Sequence, residues 1–183
     1  MAPAFPVAAP CPQAYSHAMN WPHLHLALNH LPVFGTLFVL LLFAFALIRR
    51  NAELMRVSLW AFVILTAISV PIKYTGDYAF ENLMQDPAVT DEFVRPHEKA
   101  ADQATTAVFV LGVIAAVGLF LSRRGKVAPK WLWWVLLIAA IATFGLMART
   151  ANLGGRIKHP ELREQPRGAS ATAPPRPRQT RTR

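Results

Sequence analysis

Cysteine is all but missing from this 183-residue chain. Cys11 stands alone, so no intramolecular disulfide can form, and nucleophile-and-triad catalysis finds no support. No Gly-x-Ser-x-Gly elbow occurs, and no spacing of the HExxH kind marks a diagnostic metal motif. Charge is scarce: 16% of residues are Asp, Glu, Lys or Arg, against about 25% in ordinary soluble domains. No Lys or Arg precedes Arg49. Residues 1–19 therefore lack the basic start of a cleavable signal, and Pro3, Pro6, Pro10 and Pro12 break their apolar residues. Internal repeats and a second polar helix midplane are also lacking, which argues against a transporter. No basic patch is interleaved with base-stacking aromatics, so no nucleic-acid partner is expected.

Apolar residues are abundant, at 54% of the chain, with a positive mean hydropathy of +0.30. They gather in four runs at residues 31–48, 57–72, 107–121 and 131–148. A helix rises ~1.5 Å per residue and the hydrocarbon core is ~30 Å thick, so a span needs roughly 20 mostly apolar residues. Each run is slightly short and must draw in its flanks: Leu24, Leu26, Ala27 and Leu28 for the first, Leu54 and Met55 for the second, and the alanine-rich residues 100–104 for the third. The expectation is an all-α, integral membrane four-helix bundle over residues 20–162. Residues 1–19 and the basic 163–183 are too poor in large apolar side chains to offset the entropy of ordering them, and are expected to be disordered tails.

Arg49, Arg50 and Arg56 bracket the first connection, and Arg123, Arg124, Lys126 and Lys130 the third. Placing both inside satisfies the positive-inside rule at the first helix. Both termini of this multi-pass chain then face outward. All six histidines, and every carboxylate except Glu53, fall on that outer side. One-sided polarity of this kind points to a ligand site at the outer face, where carboxylates at the bilayer edge are functional candidates.

The first helix is expected from near Trp21 with a kink at Pro32, which leaves the Leu28 carbonyl without its donor beside His30. Pro71 similarly frees the carbonyl of Ala67. A turn at Tyr74-Thr75-Gly76-Asp77 is expected next, with an aromatic, acidic stretch along the interface. The third helix is expected to begin at Pro96 with His97 at its N-cap, and Glu98, Asp102 and Thr105 or Thr106 share one face. Gly112, Ala116 and Gly118 mark a small-residue packing face. Trp21 and, at the other interface, Trp131, Trp133 and Trp134 read as aromatic belts. The fourth helix is expected to end near residue 152, where a Gly154-Gly155 turn either folds His159 back over the bundle mouth or leaves it in solvent.

The strings Leu28-Asn29-His30-Leu31-Pro32-Val33, Tyr74-Thr75-Gly76-Asp77, His97-Glu98-Lys99-Ala100-Ala101 and Ala151-Asn152-Leu153-Gly154-Gly155-Arg156-Ile157-Lys158-His159-Pro160-Glu161 resemble a bacterial four-helix membrane family, domain of unknown function family 2231. The resemblance spans residues 20–162 and implies the four-helix architecture, with a general likeness to b-type cytochrome bundles. It implies no established activity. Asp77 stands where similar sequences carry glutamate, which keeps the charge.

Two chemistries fit the outer polar residues. His30 and His97 open facing helices at one membrane face and meet the demand of a single bis-imidazole b-type haem. His30, His97 and His159 with Asp77, Glu98 or Asp102 make a donor set for a non-haem Zn, Fe, Mn or Cu ion. Either gives a redox-associated or metal-binding component, working with the lipid bilayer and with other membrane redox subunits in electron transfer. The rival reading is a cofactor-free structural or accessory subunit of a larger membrane complex, its histidines serving as caps and interfacial hydrogen-bonders.

Overall fold

A computed structural model describes residues 21–84, 91–125 and 128–159. The expected tails at 1–19 and 163–183 lie outside the described residues. Five α-helices follow in order: α1 Trp21–Leu28, α2 His30–Arg49, α3 Ala52–Leu83, α4 Asp91–Leu121 and α5 Lys130–Lys158, with a 3-10 turn at Arg123–Gly125. Four segments are long and apolar enough to cross a membrane: His23–Arg49, Ala52–Glu81, Asp91–Leu121 and Lys130–Ile157, of 27, 30, 31 and 28 residues. The protein is a multi-pass, all-α bundle. Such lengths follow from the solvent, because a backbone in lipid must satisfy its own polar groups and a helix does so at every residue.

α1 and α2 form one span broken at Asn29, whose backbone stays helical at φ −63°, ψ −21°. The break falls where Pro32, lacking an N–H, cannot bond the Leu28 carbonyl. At the other end of α2, Arg50 takes a left-handed conformation (φ 50°), and the Asn51 N–H reaches back to the Ala46 carbonyl at 3.0 Å. This is a Schellman-type stop. The Asn51 side chain then accepts the Leu54 N–H at 3.0 Å and starts α3, so the connection needs only two residues.

Three expected boundaries differ. α3 runs through Gly76 to Leu83 instead of turning at residues 74–77, and α5 runs through Gly154 and Gly155 to Lys158. α4 begins at Asp91, so Pro96 and His97 lie inside the helix and His97 is no N-cap. In α3 and α5 the glycine at the expected turn, Gly76 or Gly154, lies inside the helix and faces an imidazole of a packed neighbour.

α2 packs on α3 and α5, and α4 packs on α3 and α5, closing the bundle, while α1 lies against α3. Phe43, Phe62, Leu59, Leu111, Ala115, Leu136 and Ala140 form its core, and Ala104, Val108 and Met147 form a smaller cluster with Val33 and Leu146. Between helices there is no water to escape from, so packing depends on close van der Waals fit. At Gly112 a Cβ would stand 2.3 Å from Oγ1 of Thr66, whose hydroxyl lies 2.9 Å from the Phe62 carbonyl and 3.1 Å from the Val108 carbonyl. The small-residue face is therefore Gly112, Ala115 and Gly118, all buried, and Ala116 is exposed. Buried hydroxyls of Thr36, Ser58 and Ser69 each donate to the carbonyl four residues back. Phe34, Phe38, Leu41, Phe45 and Ile64 point outward, as lipid contact requires. Trp131 and Trp134 are exposed belt residues, whereas Trp133 turns inward against Phe43.

Candidate functional site

The helix hairpins bring His25, Asp77, His97 and Asp102 to one end of the bundle and the Arg49–Arg50 and Arg123–Arg124 connections to the other. At the histidine end, α1 is clasped to α3 by Trp21 stacked on Tyr78, ring centroids 4.8 Å apart. One turn along the same face, Nδ1 of His25 lies 3.3 Å from Oγ1 of Thr75. The Thr75 hydroxyl has a single proton and donates it to the Ile72 carbonyl at 2.8 Å, so its oxygen accepts and Nδ1 of His25 is the donor. The ring lies on Gly76, where a Cβ would come within 2.9 Å of Cε1.

A parallel arrangement holds α4 to α5. Nδ1 of His97 donates to the Thr150 carbonyl at 3.0 Å, an acceptor that admits only that direction. Its ring lies on Gly154, where a Cβ would stand 3.0 Å from Cε1. Both imidazoles thus carry the Nδ1 proton and keep the Nε2 lone pair. Both rings lie at the same end of the bundle, His25 on α1 against α3 and His97 on α4 against α5.

The other expected site residues are distributed unevenly. His30 is exposed and stacks on Phe34 of its own helix, centroids 6.2 Å apart. His159 follows the last turn of α5, exposed, with its N–H on the Gly155 carbonyl at 2.9 Å. Glu98 is half-buried on α4. Asp77 and Asp102 are brought together through Lys73, which pairs with Asp77 on its own helix and with Asp102 of α4 at 3.0 Å. Among the described residues, no three His, Cys, Asp or Glu side chains are grouped so as to hold a metal ion.

His25 is the participant that sequence reasoning missed. It stands five residues before His30, hence about 140° around the helix at 100° per residue, and the two cannot share a face. The available signal was Trp21, four residues earlier and on the side of His25.

Lys73 is a graded test of this end. All three side chains of the bridge are partly exposed, so Lys73→Met should cost about 1 kcal/mol or less, and the cost should shrink as salt rises. Unfolding in detergent at two ionic strengths checks it; a large, salt-independent loss would mean that the bridge is shielded.

Compared with protein-family models, with curated proteins and with solved structures, the chain matches none.

Proposed function

We propose that the protein is a redox-associated membrane component that binds one b-type haem through His25 and His97. The observation that carries this is the matched state of the two rings. Each Nδ1–H is pinned by a partner on the neighbouring helix, which fixes the ring and leaves Nε2 as the donor atom, the arrangement found behind metal-bound imidazoles. A haem brings four nitrogen donors of its own and needs two from the protein, whereas a bare ion wants three or more. Two imidazoles with no third grouped donor among the described residues fit the first demand better.

Bound there, the haem would supply one-electron transfer. The chain's part is to orient: Thr75 and the Thr150 carbonyl anchor the rings, and Gly76 and Gly154 let each ring approach the helix backbone by its Cε1 edge. Kinship with family 2231 belongs to the same proposal, since three of its four resembling strings contain Thr75, Gly76, His97 and Gly154.

The test is haem per folded protein, read from the Soret band of protein purified from membranes. His25→Ala and His97→Ala should each lower it at least about tenfold, while His30→Ala and His17→Ala leave it unchanged. Loss with His30→Ala but not His25→Ala would move the ligand to the exposed ring. A metal found by elemental analysis without a Soret band would favour the non-haem ion. Neither signal in the wild-type protein would leave the cofactor-free structural subunit in its place.

A further inference from the structure

We propose that the opposite end of the bundle is a binding surface for anionic phospholipid headgroups, centred on Arg123 and Arg124 between α4 and α5. The inference is independent of the haem reading. That end exposes Arg49, Arg50, Arg56, Arg123, Arg124 and Lys130. Its single carboxylate among the described residues, Glu53, pairs with Arg56 at 3.5 Å. Arg49, Arg50, Arg124 and Lys130 have no ion pair among the described residues.

Cations at helix C-termini complement the helix dipole, and that alone accounts for Arg49. It does not account for Arg50 and Arg124, which hold left-handed backbone at φ 50° and φ 58°. Glycine takes that conformation without steric cost, and both turns at this end place an arginine in it instead.

Arg123 supplies the most built feature. Its guanidinium carbon lies 3.6 Å from the centroid of the Phe120 ring, so the face of the group is covered. The N–H donors lie in the guanidinium plane and point outward from its edge, the geometry that meets a phosphate with two parallel hydrogen bonds. Phe120 at the end of α4 and Trp131 and Trp134 at the start of α5 are exposed, and interfacial tryptophans mark headgroup depth. A phosphodiester carried by a lipid meets cations and apolar rings together, as a free phosphate does not. Each basic residue near an anionic leaflet is worth about fivefold in binding. On this proposal the basic end sits in an anionic leaflet.

Full-length protein in neutral detergent, given equimolar phosphatidylglycerol and phosphatidylcholine of the same chain length, is examined by native mass spectrometry. Phosphatidylglycerol adducts should exceed phosphatidylcholine adducts by about fivefold or more. The preference should fall towards one with Arg123→Gln/Arg124→Gln and weaken with Phe120→Leu, which keeps the charge but removes the stack. Arg95→Gln/Lys99→Gln, at the other end, should leave it unchanged. Equal adducts of both lipids, full preference in the arginine double variant, or equal loss from the Arg95/Lys99 variant would overturn the proposal. So would displacement of the lipid by millimolar inorganic phosphate, which would show a site for the free ion.

Discussion

Gly112→Ala should destabilise the bundle by about 3 kcal/mol, near the top of the range for overpacking. The added methyl would meet Thr66 at 2.3 Å from Oγ1, 2.8 Å from Cβ and 2.9 Å from Cγ2. A β-branched side chain is stiff at χ1, and this hydroxyl is engaged with carbonyls of both α3 and α4, so no flexible tip can move aside. The helices must separate instead. Gly35→Ala provides the comparison, because there the close atom is a terminal methyl of Leu65 at 2.6 Å, which can rotate. Gly145 has nothing within 4 Å, so alanine there should be neutral or gain up to about 1 kcal/mol from helix propensity. Equilibrium unfolding in mixed micelles ranks the three, and Thr66→Gly, which removes the Cβ 2.8 Å away as well as the hydroxyl and methyl, should relieve the clash at Gly112 where Thr66→Ala relieves only part of it. If Gly112→Ala is as well tolerated as Gly145→Ala, the close α3–α4 contact is wrong.

Phe43→Ala should cost about 2 kcal/mol, less than the 3–5 kcal/mol usual in water-soluble cores. Phe43 is 0% exposed and lies between Phe62, centroids 6.1 Å apart and edge-on, and Trp133 at 6.4 Å. In a soluble protein the truncated ring loses its transfer free energy as well as its contacts. In a bilayer the separated helices keep the ring in hydrocarbon, so the transfer contribution largely cancels and the cavity and the two aromatic contacts remain. Phe38, 69% exposed on the next turn towards the N-terminus, should tolerate alanine with almost no change. The same unfolding assay applies. A loss at Phe38 matching that at Phe43 would show that Phe38 is covered by protein rather than lipid.

The four spans were legible because apolar runs of this length have few alternatives in a chain so poor in charge. Their ends were not. Gly76 and Gly154 were read as turn residues, the usual meaning of glycine after an apolar run, yet each sits inside a helix opposite an imidazole. Local sequence cannot distinguish a glycine that lets the chain bend from one that lets a neighbour approach. The neighbour lies 51 positions away for the Gly76–His25 contact and 57 for Gly154–His97. The rotation of the first span was equally hidden: His25 and His30 both precede Pro32, and only the facing helix decides that His25 lies against Gly76 while His30 is exposed. The choice between Trp133 and its neighbours, or between Ala115 and Ala116, is likewise a matter of rotation about a helix axis. Asp77 and Asp102 stood out in the sequence because carboxylates beside lipid are conspicuous without a partner in view, and the partner they share, Lys73, shows only in the fold.

The interruption at Asn29 divides the first span into two cooperative units. α2 packs on both α3 and α5, while α1 packs on α3, where Trp21 stacks on Tyr78 and His25 bonds Thr75, with a backbone bond missing behind it. Such a segment opens with a free energy of its own, below that of global unfolding. His25 travels with it. On the proposed haem reading, one imidazole is carried by the α4–α5 hairpin and the other by the segment ahead of the break, so binding through both rings would couple opening of that segment to release of the macrocycle.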